Sequence, residues 1–231
     1  MKLQNLTTLD DEPPSRQDKR RYDDACGTAH ALELIGERWT LLVLRELMLG
    51  ARRFSQLRAD LPGISANVLT QRLAELDQRG LVRRRKLPPP ASVQVYEATA
   101  WGLEAEPIVQ ALGRWAARSP GHDPTLPISG VSILLSFRTL ISEKRAKGID
   151  ARVGFRFGAD DYVARVKKGQ LKIARGALED CDLVFSGAPG TLAAVVYGGQ
   201  PLDLLGITGD RALAEKFITL FVLPPKVGAD G

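Results

Sequence analysis

Between Asp23 and Gly80 the sequence is cut into short helical phrases, each ended by a glycine or a proline–glycine turn. Ala25, Ala29, Leu32, Leu34 and Ile35 recur at spacings of three and four and stop at Gly36. Leu41, Leu42, Leu44, Leu47 and Met48 repeat the signal from Trp39 to Leu49, closed by Gly50. Apolar periodicity of this kind, ended by glycine, marks an amphipathic helix and its C-terminal boundary. A short third helix is expected over Phe54 to Asp60. After the turn Leu61-Pro62-Gly63, Ser65 stands as the N-cap of a fourth helix with Leu69, Leu73 and Leu76 on one face and Gly80 as its stop.

Leu81 to Arg85 and Val93 to Glu97 then alternate as strands around Pro88-Pro89-Pro90, which reads as a β-hairpin. Thr99 caps a fifth helix from about Ala100 to Arg118, with Ile108, Leu112 and Trp115 expected on its buried side. Three short helices, a longer one entered through a small-residue turn, and a hairpin with arginines on its first strand form a winged helix-turn-helix.

Charge follows the same boundaries. From Arg38 to Lys86 there are eleven cations against four anions, an excess of seven, while the whole chain carries only +5. The remainder is therefore slightly acidic. A local field of that size, built on arginine, suits a polyanion, although a solvated charged face would look the same on charge alone.

Other classes are narrowed by composition. Hydrophobic residues make up 44% of the 231 and charged residues 26%, which suits a globular chain of two domains rather than a disordered one. The longest apolar stretches are far short of the roughly 20 residues of a membrane span, and the polar N-terminus has no apolar core of a secretory signal. A cytoplasmic protein with no membrane association is the expectation. Cys26 and Cys181 with His30 and His122 are too few for a disulfide framework or a zinc site, and no cofactor is expected. No nucleophile elbow, phosphate loop or paired acid motif occurs, so an enzyme is not the expected reading.

Specific residues carry a resemblance. Cys26, the run Leu34-Ile35-Gly36-Glu37-Arg38-Trp39-Thr40-Leu41-Leu42-Val43-Leu44-Arg45-Glu46-Leu47, Gly50, Arg53-Phe54-Ser55-Gln56-Leu57, Leu61-Pro62-Gly63-Ile64-Ser65 and Val68-Leu69-Thr70-Gln71-Arg72-Leu73 together resemble the HxlR family of bacterial winged-helix regulators. Gly80-Leu81-Val82, Tyr96, Thr99, Gly102 and Trp115 continue the match over residues 23–118. The wing departs from the family pattern, since Pro88-Pro89-Pro90-Ala91-Ser92-Val93 is less basic than usual. In related regulators a redox-sensing thiol often stands where Cys26 does; a quiet buried thiol is the weightier expectation here, with redox sensing as the alternative.

Residues 119–128, with Pro120, Gly121, Pro124 and Pro127, read as a linker, and residues 1–22 and 226–231 as a flexible arm and a tail. Between them, residues 129–225 show a helix from Gly130 to Arg145, strands near Ala151–Phe157, Tyr162–Lys167 and Leu171–Ala174 with a turn at Lys168-Gly169, and a strand at Asp182–Ser186. A helix at Pro189–Tyr197 and a last one at Asp210–Leu220, introduced by Gly206-Ile207-Thr208-Gly209, complete the order. That order resembles the sterol carrier protein type 2-like fold, so the overall class is α+β: a winged helix-turn-helix followed by a smaller sterol-carrier-like domain. The resemblance implies an apolar pocket walled by Leu134, Phe137, Leu192, Val195, Phe217 and Phe221, residues that would equally form an ordinary core.

On the fourth helix, taking Leu69, Leu73 and Leu76 as the core stripe puts Asn67, Gln71 and Ala74 on the solvent side, with Thr70 and Arg72 on the flanks. Asn and Gln pair with adenine edges and Arg with guanine in the major groove. Ser65 and the helix's first N–H groups would meet a phosphate. Arg83, Arg84, Arg85 and Lys86 lie on a wing strand, where alternation lets only some of the four reach one backbone. Arg52 and Arg53 are weaker candidates, since such an arginine could pair with Glu46. Trp39 and Trp115 read as packing residues. The chain is accordingly expected to be a homodimeric regulator, a repressor before an activator, on a palindromic operator in double-stranded DNA, with a small hydrophobic effector or thiol oxidation as its control. The rival is a lipid or small-molecule carrier, or an enzyme, in which the winged helix serves only as an interaction module.

Overall fold

The computed structural model describes residues 22–228. The arm expected over 1–22 lies outside the described residues except for Tyr22, as does the end of the tail beyond 228. Contacts divide the chain into two units, one up to Arg38 and one from Trp39 onward.

The first unit holds α1 (Gly27–Ile35). It starts later than its apolar periodicity, for a local reason. Asp23 sits in the left-handed region (φ 46°) and the Asp24 carboxylate accepts the Cys26 N–H at 2.9 Å, a side-chain turn that competes with helical bonding. Cys26 is left extended as the N-cap.

The second unit opens with α2 (Thr40–Glu46), α3 (Phe54–Asp60) and α4 (Ala66–Gln78), then the antiparallel pair β1 (Val82–Lys86) and β2 (Gln94–Ala98). Val43, Leu44, Leu57, Leu69, Leu73, Leu76, Val82 and Val95 are the buried core of this part. The fifth expected helix is two, α5 (Ala100–Leu103) and α6 (Glu106–Ala116). Pro107, in the first turn of α6, has no N–H to give the carbonyl four residues back, so one helix cannot continue through it. Ile108, Leu112 and Trp115 do not take the buried side expected of them. They are 45%, 45% and 74% exposed, because α6 meets α7 (Gly130–Leu140) through its other side, where Glu106 receives Arg138 at 2.7 Å and Arg114 reaches the Thr139 carbonyl.

The helix expected to run to Arg145 also divides. Ile141 turns extended and forms a bridge with Phe221, and Ser142 caps the short α8 (Glu143–Ala146). β3 (Asp150–Phe157), β4 (Asp160–Lys167), β5 (Gln170–Arg175), β6 (Leu183–Ser186) and β7 (Gly206–Gly209) form one sheet in the order β5-β4-β3-β6-β7. Only β3 and β6 are parallel, and α7 and α9 (Pro189–Gly198) are buried on the same core as α10 (Arg211–Ile218). The Gly206-Ile207-Thr208-Gly209 lead-in is itself the edge strand, paired antiparallel with β6.

The expected apolar pocket is filled. Leu134, Phe137, Leu192, Val195, Phe217 and Phe221 are all at most 5% exposed, and Phe137 stacks on Phe221 with centroids 4.1 Å apart. Phe217 adds edge contacts to both rings. Burying each such ring is worth about 1.5–3 kcal/mol, which favours closing a small space over keeping it open. No described helix is long and apolar enough to cross a membrane.

From Trp39 onward the winged part lies in the same unit as the sheet part, and polar groups join them. Ser129, the N-cap of α7, donates its hydroxyl to the fully buried Glu46 carboxylate at 2.8 Å. Arg52, 2% exposed, donates to Asp160 at 2.6 Å and also to Asp60. Neither tie is local in sequence.

Candidate nucleic-acid interface

Ser65 caps α4 by accepting the Val68 N–H at 3.2 Å, which fixes the helix's start and so its rotation. With Leu69, Leu73 and Leu76 sealed inward, Asn67, Thr70 and Gln71 are exposed on one outward surface. The turn before α4 is set by Gly63, whose φ of 89° favours glycine, and the Trp39 ring lies over it. Gln71 does not hang free: its amide donates to Glu75 at 3.0 Å. Arg72 departs from the expected flank position. It is 6% exposed and donates to the other Glu75 oxygen at 2.7 Å, because its long stem lies in the core stripe beside Leu69, Leu73 and Leu76 and only its head needs a polar partner. Glu75, which the sequence reading passed over, therefore holds both neighbours.

The hairpin sorts its basic residues by alternation. Arg83 pairs across the ladder with Glu97, and Arg83 and Arg85 both donate to that carboxylate, at 2.5 and 2.6 Å. Against the upward push of burial, Arg85 and Arg83 hold the Glu97 carboxyl below the ordinary glutamate range. Arg84 and Lys86, on the opposite face, are exposed, with Arg84 beside Tyr96 and Lys86 beside Gln94. The four exposed wing cations thus divide into two that share the single Glu97 carboxylate and two on the opposite face. The signal for this was in the sequence, since a lone glutamate stands on the strand facing the arginines.

Arg53 is exposed at the start of α3, its N–H donated to Gln56 at 2.9 Å. Arg52 does not pair with Glu46 as the alternative reading had it. Glu46 takes Arg45 at 2.7 Å, and burial pushes its carboxyl above the ordinary range. Arg52 is instead a structural tie whose backbone exchanges two 2.8 Å hydrogen bonds with Tyr96 of β2.

In the first unit, Cys26 is exposed rather than buried. The N–H groups of Thr28 and Ala29 in the first turn of α1 favour the thiolate and lower its pKa. Cys181 is half-buried and burial raises its thiol.

The family model described as HxlR-like helix-turn-helix matches residues 34–123. An HTH-type transcriptional regulator of Synechocystis sp. is 39% identical over 87 residues, covering 38% of this chain and 64% of that relative. YvaP of Bacillus subtilis is 35% identical over 86 residues, 37% of this chain and 80% of its own length. YodB of the same organism is 35% identical over 86 residues, 37% and 77%. The solved reduced form of YodB shares 31% identity with a TM-score of 0.39, covering 43% of this chain and all of that one. With the capped α4, its outward amides and the arginine-bearing hairpin all falling inside the matched residues, the chain belongs to the HxlR-like helix-turn-helix family.

Proposed function

We propose that the chain is a sequence-specific regulator of transcription that binds double-stranded DNA as a homodimer, with repression its expected mode. The observation that carries this is the outward surface of α4, where Asn67, Thr70 and Gln71 stand exposed over a sealed leucine stripe. Amides on a helix of this exposure suit base edges in a major groove, and Arg53, Arg84 and Lys86 suit the flanking phosphates. Residues 23–118 form the DNA-binding part in this reading, residues 129–225 a sterol-carrier-like part, and 119–128 the connection.

Dimerisation rests on Ile108, Leu112 and Trp115, an i, i+4, i+7 stripe exposed on α6. A two-fold pair would place two recognition helices on half-sites one turn apart, about 34–36 Å, hence a palindromic operator.

The test compares the operator, obtained by footprinting on the protein's own upstream region, with random duplex. Asn67→Ala or Gln71→Ala is expected to cost about 1–3 kcal/mol on the operator and little on random DNA. Equal loss on both removes α4 from the groove.

Cys26 supports a second level of control by oxidation, because it is exposed and its thiolate is favoured by the helix start.

A further inference from the structure

Charge in the second unit is matched at one end of the sheet and unmatched at the other. In the open cleft where α7 and α9 begin, Arg52 is held by Asp60 and Asp160. From Asp160, β4 runs to Lys167, about 23 Å away at roughly 3.3 Å per residue. At that far end the cations outnumber their partners.

Register brings them together. Arg152, Arg165 and Lys172 stand directly opposite one another on β3, β4 and β5, on the face turned away from the buried Val153, Ala164 and Ile173. Like charges placed so are unfavourable for the sheet itself. Lys167 follows on the same face, and Lys168 in the turn takes a φ of 52°, a left-handed conformation that asparagine or glycine adopts more readily. That turn packs on α8, since a Cβ on Gly169 would lie 3.2 Å from the Glu143 carbonyl oxygen. α8 and the residue after it add Lys144, Arg145 and Lys147, all exposed.

Few anions answer them. Asp150 serves both Arg165 and Lys167, Asp182 takes the Arg152 backbone N–H, and Glu143 is the third carboxylate. Eight cations thus face three anions here, while the rest of residues 129–225 holds five cations and seven anions. A surface built for solubility alone would intersperse the two signs. Lys172 on the edge strand β5 also discourages strand pairing, but β3 and α8 are not sheet edges. None of the described exposed large apolar side chains lies between 143 and 172, so the anchors on which a protein partner would dock are missing.

We propose that this end of the sheet domain binds the phosphate backbone of double-stranded DNA, on a duplex segment other than the half-site under α4. Lysine and arginine without apolar anchors suit a uniform line of phosphates, which is read by charge and not by sequence. A regulatory role for the second contact rests on the DNA-binding reading, because α4 is what would bring a duplex near. The affinity of the surface does not. Its distance along β4 from the Arg52 tie is well beyond the Debye length of about 10 Å at 0.1 M salt, so the surface acts by contact and not through its field at the wing.

The test uses the full chain and a short random duplex, titrated by fluorescence anisotropy between 50 and 200 mM salt. Lys144→Gln, Lys147→Gln and Lys172→Gln combined remove three exposed charges that hold no ion pair among the described residues, so the unfolding temperature should not change. Each lost phosphate contact should lower the magnitude of the log K against log salt slope by about 0.9, up to about 2.7 for all three. Arginine at the same three positions should keep the parent slope. In an Arg84→Ala, Lys86→Ala background the triple change should lower the slope by the same amount, because the two surfaces are separate. An unchanged slope in the triple variant overturns the proposal, as does complete loss of binding in the wing background. A slope lowered by the wing changes alone removes this surface and leaves the DNA-binding reading standing; one lowered by the triple change alone supports this surface and counts against the wing. Vesicles containing phosphatidylserine are the control for a membrane: binding that the triple change abolishes, with the DNA slope unaltered, overturns the duplex as partner.

Discussion

Glu97→Gln should strengthen DNA binding, and the expected size follows from the hairpin. In the parent, Arg83 and Arg85 spend their guanidinium donors on one carboxylate, although their side chains are 66% and 45% exposed and free to swing outward. Neutralising that carboxylate removes the internal counter-charge without changing the size of the side chain. If both arginines lie near the backbone, each new phosphate contact adds about 0.9 to the magnitude of the log K against log salt slope. Between 50 and 200 mM salt one contact then changes affinity by about 3.5-fold and two by about 12-fold, so the variant's advantage should shrink by that factor over the range. Arg84→Ala and Lys86→Ala should act in the opposite sense, each lowering the slope by about 0.9 if it removes one phosphate contact. Fluorescence anisotropy on a short random duplex at several salt concentrations measures all three variants, since phosphate contacts ignore sequence. An unchanged slope in Glu97→Gln together with unchanged slopes in Arg84→Ala and Lys86→Ala would show that the wing does not meet the backbone.

Three further outcomes are expected. Sedimentation at micromolar concentration should give a dimer, and Trp115→Lys should shift it towards monomer because the charge lands on the exposed α6 stripe; a monomeric parent refutes the interface. Against the upward push of burial, Arg52 and Arg175 hold the Asp160 carboxyl below the ordinary aspartate range, so its contribution to stability is complete above the unfolded value near pH 3.9 and is lost as pH falls through the lower folded value. Asp160→Asn should therefore cost about 1.5–3 kcal/mol at pH 7, the worth of charged hydrogen bonds, and weaken the acid dependence of unfolding; an unaltered acid limb refutes it. Peroxide or a quinone should alter operator affinity through Cys26, so Cys26→Ser should abolish the response and Cys181→Ser preserve it, with a surviving response in Cys26→Ser ruling the thiol out.

Much of the element order was legible in the sequence because it depends on neighbours along the chain. The stripe Leu69, Leu73, Leu76 fixes which side of α4 faces outward, and Ser65 and Thr99 cap helices with their own hydroxyls. The period-two wing already implied that four consecutive cations must split into two faces. Local rules reach no further than this. Ile108, Leu112 and Trp115 have a core-like pattern, yet an apolar stripe cannot say whether this chain or another will cover it. Arg72 shows the reverse: its charge suggests a surface, while its position in the leucine stripe buries the stem and leaves Glu75 to satisfy the head.

The residues that join the two parts were not legible, for a geometric reason. Arg52 and Asp160 are 108 positions apart, and Glu46 and Ser129 are 83 apart, so nothing in the local pattern of either pair marks the other. The same holds for the space inside the sheet domain, where the sequence supplied apolar residues at helix and strand spacing but only their packing decided that Phe137, Phe217 and Phe221 close on one another. The open cleft arises elsewhere, where two helix starts and a buried arginine from distant segments converge. Sequence determined the helices, caps, wing and charge of this protein, because backbone and side-chain preferences act over a few residues. Tertiary structure alone decided the distant pairings, such as Arg52 with Asp160 and Glu46 with Ser129, and which cavity stays open, because both depend on contacts between groups that the chain order keeps far apart.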